Sequence, residues 1–363
     1  MYRVFVPLQK KQMQVLGVMS GSSLDGLDLA LLSFVEEPFK WTLVKSSTFP
    51  LPIELRELLR EGYLMTAEEL IDLEYQFTAY LASSINSFIE DENITVRLIG
   101  VHGHTLWHKT QLSRSWQLLN GGQLAELCGC SVVCDFRNQD MALGGQGAPM
   151  AILADRDLFP GYDYYLNLGG IANLASHKSS YMAYDVWPCN QMLNSFANEL
   201  GYPYDDKGKL AKTGAISADL YDFLKTDTYL NLAPPKSLDN KHSRQLLYDI
   251  SQRFELSTVD KLRTTVELIA EEIAKLNYLS NTSMLVTGGG AYNDFLVERL
   301  KTLLEPKAVE VILPESTIID NKEAILIAYA AYLRYLGKPN FISKATGASA
   351  DVIGGALYSV KYV

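Results

Sequence analysis

The stretch GVMSGSSLDGLDLAL, Gly17 to Leu31, breaks an apolar run with small polar residues: Ser20, Gly21, Ser22, Ser23, Asp25, Gly26 and Asp28. Apolar residues of strand type flank it, with Val15, Leu16 and Val18 before and Leu29, Leu31 and Leu32 after. The pattern reads strand, polar turn, strand. In such a turn Gly21 can adopt positive φ, and the serines offer hydroxyl and backbone N–H donors. Successive amides there form a concavity that suits an anion. Asp25 or Asp28 beside a polyphosphate would be repelled unless a cation stood between them, which points to Mg²⁺ held through water, with Asp25 preferred. The plainer alternative is a surface hairpin whose Asp-Gly pair at 25–26 needs polar company anyway.

Two further glycine turns shift the balance. NLGGIAN (167–173) lies inside DYYLNLGGIANLASH, a second apolar strand, Gly-Gly turn and strand. TGGGAYN (287–293) follows a strand and opens onto a helix, whose N-terminus suits a phosphate or nucleotide. Neither GxxxxGK[ST] nor GxGxxG occurs, so P-loop and Rossmann readings lose support. Three separate glycine turns fit a nucleotide clamp. The two hairpins each open an α/β half that starts antiparallel and continues with crossovers. Between them, RLIGVHGHT reads as a strand running into a loop. Residues 66–90 read as a helix with Leu70, Leu73, Phe77, Leu81 and Ile85 on one face. The expected domains are 1–130, with 341–363 packing back on it, and 131–340.

Composition bounds the rest. The chain has 363 residues, 48% hydrophobic and 20% charged, enough for two cores. A formal net charge of -10, with no basic run, argues against nucleic acid or anionic membrane as partner. No apolar run approaches the roughly 20 residues a bilayer requires, and no opening signal segment is seen, so a cytoplasmic location is expected. Four cysteines are too few for a disulfide framework.

The ordered motifs GVMSGSSLDGLDLAL, HGHTLWH, DFRNQDMALGGQGAP, NLGGIAN, AYD, TGGGAYN, the Glu-Ala at 323–324 and TGAS resemble those of the anhydro-N-acetylmuramic acid kinases, within the actin, hexokinase and Hsp70-like superfamily. The resemblance runs nearly end to end. It implies two RNase H-like α/β domains around a central cleft for nucleotide and substrate. It also implies an ATP- and Mg²⁺-dependent enzyme acting on small molecules, and a homodimer. Its implied chemistry is hydrolysis of the internal 1,6-anhydro bridge coupled to phosphorylation of O6, giving N-acetylmuramic acid 6-phosphate. Asp185 matches the base that deprotonates the water; helix capping before Pro188 is its structural alternative. Gly21, Ser22, Ser23, Leu24, Asp25, Gly26 and Asp28 match the first phosphate turn. Gly169, Gly170 and Asn173 match the second, and Gly288, Gly289, Gly290 and Asn293 the nucleoside side. His102, Gly103, His104, Thr105, Asp135, Arg137 and Glu323 match the sugar contacts. Arg137 suits a lactyl carboxylate; its alternative is an ion pair with Asp135 or Asp140.

Departures from the family pattern concentrate after Asp185. Where Asp-Thr-Gly-Pro-Gly-Asn is usual, the chain reads DVWPCN, and Asn194 stands where an aspartate follows. Trp187 and Cys189 replace two glycines, so the backbone there has less freedom. Ser22 stands for threonine and His104 for glutamine. Three rival readings follow: a kinase of another amino or anhydro sugar, a non-catalytic nucleotide binder, and a metal-dependent hydrolase built on His102, His104 and His108. The spacing of Cys128, Cys130 and Cys134 is not that of a zinc site, and these cysteines read as packing residues.

Overall fold

A computed structural model describes residues 12–21, 24, 26–90, 94–176, 182–234, 236–238, 240–276 and 278–360. The chain forms two compact units, 1–158 with 323–363, and 159–322. Both expected boundaries move. The strand after residue 130 joins the first sheet, and the second crossing falls inside a helix that begins at Ser316 rather than at 340.

The first unit opens with β1 (Gln12–Ser20), β2 (Leu27–Val35) and β3 (Lys40–Phe49), all antiparallel neighbours. Helices α1 (Ile53–Glu61) and α2 (Ala67–Ile89) follow. A reciprocal capping box starts α2: Glu69 N donates to Thr66 Oγ1, and the Glu69 carboxylate accepts from Thr66 N. Its face of Leu70, Leu73, Phe77, Leu81 and Ile85 is buried, the last four in one core with the sheet. Next come β4 (Leu98–Val101), β5 (His104–Lys109), β6 (Arg114–Leu118), α3 (Gly121–Cys128), β7 (Ser131–Cys134), α4 (Asn138–Ala142) and α5 (Ala151–Leu158). The loop expected after β4 is instead the β5–β6 hairpin.

The second unit holds β8 (Tyr164–Leu168), β9 (Ile171–Ser176), β10 (Met182–Pro188) and α6 (Asn190–Glu199). It continues with α7 (Lys209–Thr213), α8 (Ala218–Lys225), α9 (Asn240–Arg253) and α10 (Thr258–Ala274). It ends with β11 (Thr282–Thr287), α11 (Asp294–Leu304), β12 (Val309–Ile312) and the start of α12 (Ser316–Tyr335). The chain returns to the first unit with the rest of α12, then α13 (Ser343–Thr346) and β13 (Ala356–Tyr358).

Among the described residues the sheets run β13-β7-β4-β1-β2-β3 and β10-β9-β8-β11-β12. In each, an antiparallel three-strand meander is extended by two parallel strands on the side of its first strand, and in the first sheet β13 adds an antiparallel edge beyond them. These are the paired RNase H-like halves that the resemblance implies.

Alternation decides what each sheet face meets. In the second unit Leu166, Leu168, Leu174 and Val286 enter the main core, while Tyr165, Ala175 and Leu285 form a small cluster on the opposite face. In the first unit the second face is nearly bare of side chain along one row. Gly17 pairs with Gly100 and with Ala30 across the strands. A Cβ on Gly17 would stand 1.9 Å from the Ala324 carbonyl oxygen, and one on Gly100 2.6 Å from the Ala331 Cβ. The glycine row lets α12 lie directly on the sheet, which fixes where Glu323 begins.

Candidate active site

Two of the second unit's expected residues, Asn173 and Asp185, lie along one rung of its sheet, beside Asn167 and Thr287, which the sequence did not single out. Thr287 on β11 pairs with Asn167 on β8, Asn167 with Asn173 on β9, and Asn173 with Asp185 on β10. Partners in register share a face, so a polar row crosses four strands on the face opposite the main core. It sits where β8 and β11 end and their glycine turns begin.

Asp185 lies within β10: after a register shift the strand continues through Trp187 and Pro188. The Leu238 amide donates to Asp185 Oδ2 at 2.9 Å. Burial pushes its carboxyl above the ordinary value, against the lowering effect of that bond. Helix capping is not its role. The first amides of α6 are met by the glycine turn itself: Cys189 N donates to Gly170 O (2.8 Å), Asn190 N to Gly169 O (3.1 Å) and Gln191 N to Gly170 O (3.1 Å).

The two glycine turns of this unit touch. A Cβ on Gly290 would meet Leu168 Cβ at 2.7 Å. Gly288 has φ +83°, and a Cβ there would meet Asn167 Oδ1 at 2.5 Å, so only glycine fits. Gly289 lies between them at the start of a 3₁₀ turn, Gly289–Tyr292. Asn293 caps α11, its Oδ1 accepting from Leu296 N at 3.0 Å. Lys322 is a residue the sequence reading missed: its Nζ donates to Thr287 Oγ1 at 3.1 Å, at one end of the polar row.

In the first unit, Ser22, Ser23 and Asp25 lie outside the described residues. Around them, Leu24 N donates to Gly21 O at 3.1 Å, and the Leu24 side chain is buried, anchoring the turn. A Cβ on Gly26 would meet Thr48 Cγ2 at 2.8 Å. Asp28, on β2, accepts from Thr48 Oγ1 at 2.7 Å.

Of the expected sugar contacts, His102 bonds directly to Arg137. Its Nε donates to His102 Nε2 (3.0 Å) and its Nη1 to the Gly147 carbonyl (3.0 Å). Arg137 can only donate, so His102 Nε2 accepts and Nδ1 carries the proton, donating to Gly103 O at 3.0 Å. Burial first, then the Arg137 charge, pulls His102 down to about 3. Burial draws Arg137 down to about 10, opposed by the Glu323 charge. Asp135 and Asp140 do not pair with Arg137. Asp135, in the left-handed region at φ 54°, accepts from Asn138 Nδ2 (2.6 Å). Asp140, fully buried, accepts from Gly147 N (2.7 Å) and Thr346 Oγ1 (2.7 Å). Asp140 therefore shapes the loop that meets Arg137, and Thr346 of TGAS ties the chain's end to it.

Gly103, at φ +78°, separates His102 from His104. His104 is buried edge-on to Phe77, and burial lowers its pKa against a bond to the Leu59 backbone. Thr105 is reached by Gln117 Nε2 at 3.5 Å across the β5–β6 hairpin. His108 Nδ1 contacts Ser115 Oγ at 3.0 Å on that hairpin. Among the described residues, no group of three or more His, Cys, Asp or Glu could hold a metal. The four cysteines are free thiols; burial pushes Cys128, Cys134 and Cys189 up to about 12. Among the same residues no helix is long and apolar enough to cross a membrane.

The model of the anhydro-N-acetylmuramic acid kinase family matches residues 13–360. A protein of that name from Mannheimia succiniciproducens is 34% identical, over 94% of this chain and 98% of its own. One from Vibrio cholerae is 32% identical, over 94% and 97%, and one from Haemophilus influenzae 31%, over 97% and 99%. Among solved structures, component A of (R)-2-hydroxyglutaryl-CoA dehydratase from Acidaminococcus fermentans is similar with a TM-score of 0.47 and 12% identity, over 89% of this chain and 99% of that one. With a family match over residues 13–360 and relatives of that name 31–34% identical over nearly their whole length, this chain belongs to the anhydro-N-acetylmuramic acid kinase family.

Proposed function

We propose that this protein uses ATP and water to convert 1,6-anhydro-N-acetylmuramic acid to N-acetylmuramic acid 6-phosphate. The observation that carries this reading is the family match over residues 13–360. In the reaction a water oxygen bonds to the anomeric carbon as the bridging C1–O6 bond breaks. O6 takes the γ-phosphoryl group, ADP leaves, and the water's proton goes to Asp185. A carboxyl raised by burial is a better proton acceptor than an exposed one, provided it enters the reaction ionised.

The other assignments follow the chemistry of the side chains. Gly169, Gly170, Asn173 and the 288–290 turn would serve the nucleotide, because they cluster where β8 and β11 end and glycine backbone carries no side chain to keep a ligand from its amides. Asp28 offers a hard oxygen donor that fits a divalent cation held through water. Magnesium, when bound, neutralises phosphate charge. Arg137 retains guanidinium N–H groups beyond its bonds to His102 and Gly147, which suits a carboxylate on the sugar. Neutral His102 orients that guanidinium without competing with it for an anion.

The test is ADP release with Mg-ATP and 1,6-anhydro-N-acetylmuramic acid in water enriched in heavy oxygen, beside Asp185→Asn. The expected product is a 6-phosphosugar carrying one heavy oxygen at the anomeric position, lost in the variant. Turnover without heavy oxygen in the sugar would reject coupled hydrolysis. An inert wild type that still binds ATP would reject this sugar.

A further inference from the structure

Asp185 is held at three of its atoms by one segment of chain, the described residues 227–234 and 236–238. Its amide donates to Lys236 O (3.0 Å), its carbonyl accepts from Tyr229 Oη (2.7 Å), and its Oδ2 accepts from Leu238 N (2.9 Å). The segment thus runs along β10, the outermost strand of its sheet, and covers its edge.

The segment is fixed in turn by Asp227. One carboxylate oxygen accepts from Tyr229 N at 3.0 Å. The other accepts from Trp187 Nε1 at 2.9 Å and lies 2.7 Å from His242 Nε2. Lys236 closes the ring: its Nζ donates to Tyr229 O at 3.1 Å and lies 4.4 Å from the centre of the Tyr229 ring. Trp187, one of the residues that replaces a glycine of the family pattern, is fully buried. Its indole N–H and the His242 ring grip the same oxygen.

We propose that Asp227 and Tyr229 are positioning residues for Asp185: Asp227, gripped by Trp187 and His242, sets Tyr229, and Tyr229 sets the β10 backbone from which the carboxylate projects. The proposal rests on the reading of Asp185 as proton acceptor. With Oδ2 taken by Leu238 N–H, Oδ1 is the oxygen that meets the water. The departure after Asp185 then has a function: Trp187, bonded to Asp227, stands where the family pattern has a glycine. These bonds act through geometry, because a base displaced by about 1 Å can cost on the order of 100-fold in rate.

The experiment is steady-state kinetics with Mg-ATP and 1,6-anhydro-N-acetylmuramic acid on the full-length protein and on Tyr229→Phe, Asp227→Asn and Asp185→Asn. Tyr229→Phe and Asp227→Asn are expected to lower kcat by roughly 10-fold or more while both KM values stay at wild type. Tyr229→Phe removes one hydroxyl and keeps the ring, so it decides the matter alone if Asp227→Asn does not fold. A merely structural role would lower the melting temperature and leave kcat of the folded protein unchanged; that result, beside an inactive Asp185→Asn, overturns the positioning proposal alone. An active Asp185→Asn overturns the reading of the base and this proposal with it.

Discussion

His102 shows how a residue chosen as a ligand contact also carries a stability signature. The buried ring is held neutral, accepting from Arg137 and donating to Gly103. Its folded pKa is about 3, and an unfolded histidine titrates near 6.5. Between those values the unfolded chain binds a proton that the folded chain does not, so stability is complete above about 6.5 and falls as pH drops toward 3. The slope from this one ring is at most about 1.4 kcal/mol per pH unit. In His102→Gln the amide oxygen can still accept from Arg137 and the amide nitrogen can donate to Gly103, but nothing titrates. Urea melts at stepped pH from 7 to 5 should therefore lose stability more gently in His102→Gln than in wild type; parallel curves would refute the buried neutral ring. The motif made His102 and Arg137 legible as a pair of expected contacts. That they bond to each other was not legible, because it depends on the loop that Asp140 folds.

At the scale of elements, periodicity read what local sequence controls and missed what distant packing controls. The α2 face and both antiparallel hairpins follow from spacing and glycine turns alone. The β5–β6 hairpin did not: residues 110–113 contain no glycine, and Ser113 takes the left-handed turn conformation at φ 48°. Nor did the full length of β10, in which a bulge between Asp185 and Trp187 re-aims the chain without breaking the sheet. Gly17 is another such case, reading as one residue of a strand while serving as the seat of α12. Gly17→Ala would drive a methyl into the Ala324 carbonyl region, and a helix backbone cannot step aside as a side chain can. The expected cost is about 3 kcal/mol, at the upper end of overpacking. Gly129→Ala is the comparator: φ is +61° with no atom within 4 Å of the added Cβ, so strain alone of about 1 kcal/mol applies. Thermal unfolding of the two variants side by side distinguishes the effects, and an equal loss would show that α12 is not seated on that glycine.

Across the whole chain, two sheets of matching order were foreseeable from the repeated strand–glycine turn–strand pattern, but where the units divide was not. Residues 131–158 look like the opening of a new half because a glycine-rich stretch follows a strand. In fact β7 pairs with β4, and β13 returns from the far end to pair with β7. The first unit is therefore closed by the chain's last segment, and its polar lock is the bond from Thr346 Oγ1 to Asp140 Oδ1, both buried and 206 residues apart. Gln146 N donating to Thr346 O (3.0 Å) and Ser349 N to Leu143 O (3.0 Å) reinforce it. Since Asp140 also holds Gly147 N, and the Gly147 carbonyl receives Arg137, the lock reaches the expected sugar contact in three steps. Thr346→Val keeps the shape and leaves a buried carboxylate oxygen without its donor, an expected loss of about 1.5–3 kcal/mol. Thr346→Ser keeps the hydroxyl and should lose far less. Because the loosened loop carries the Arg137 partner, KM for the sugar should rise in Thr346→Val while KM for ATP holds. A valine variant that is destabilised yet binds sugar normally would mean that the lock stabilises the fold without reaching Arg137.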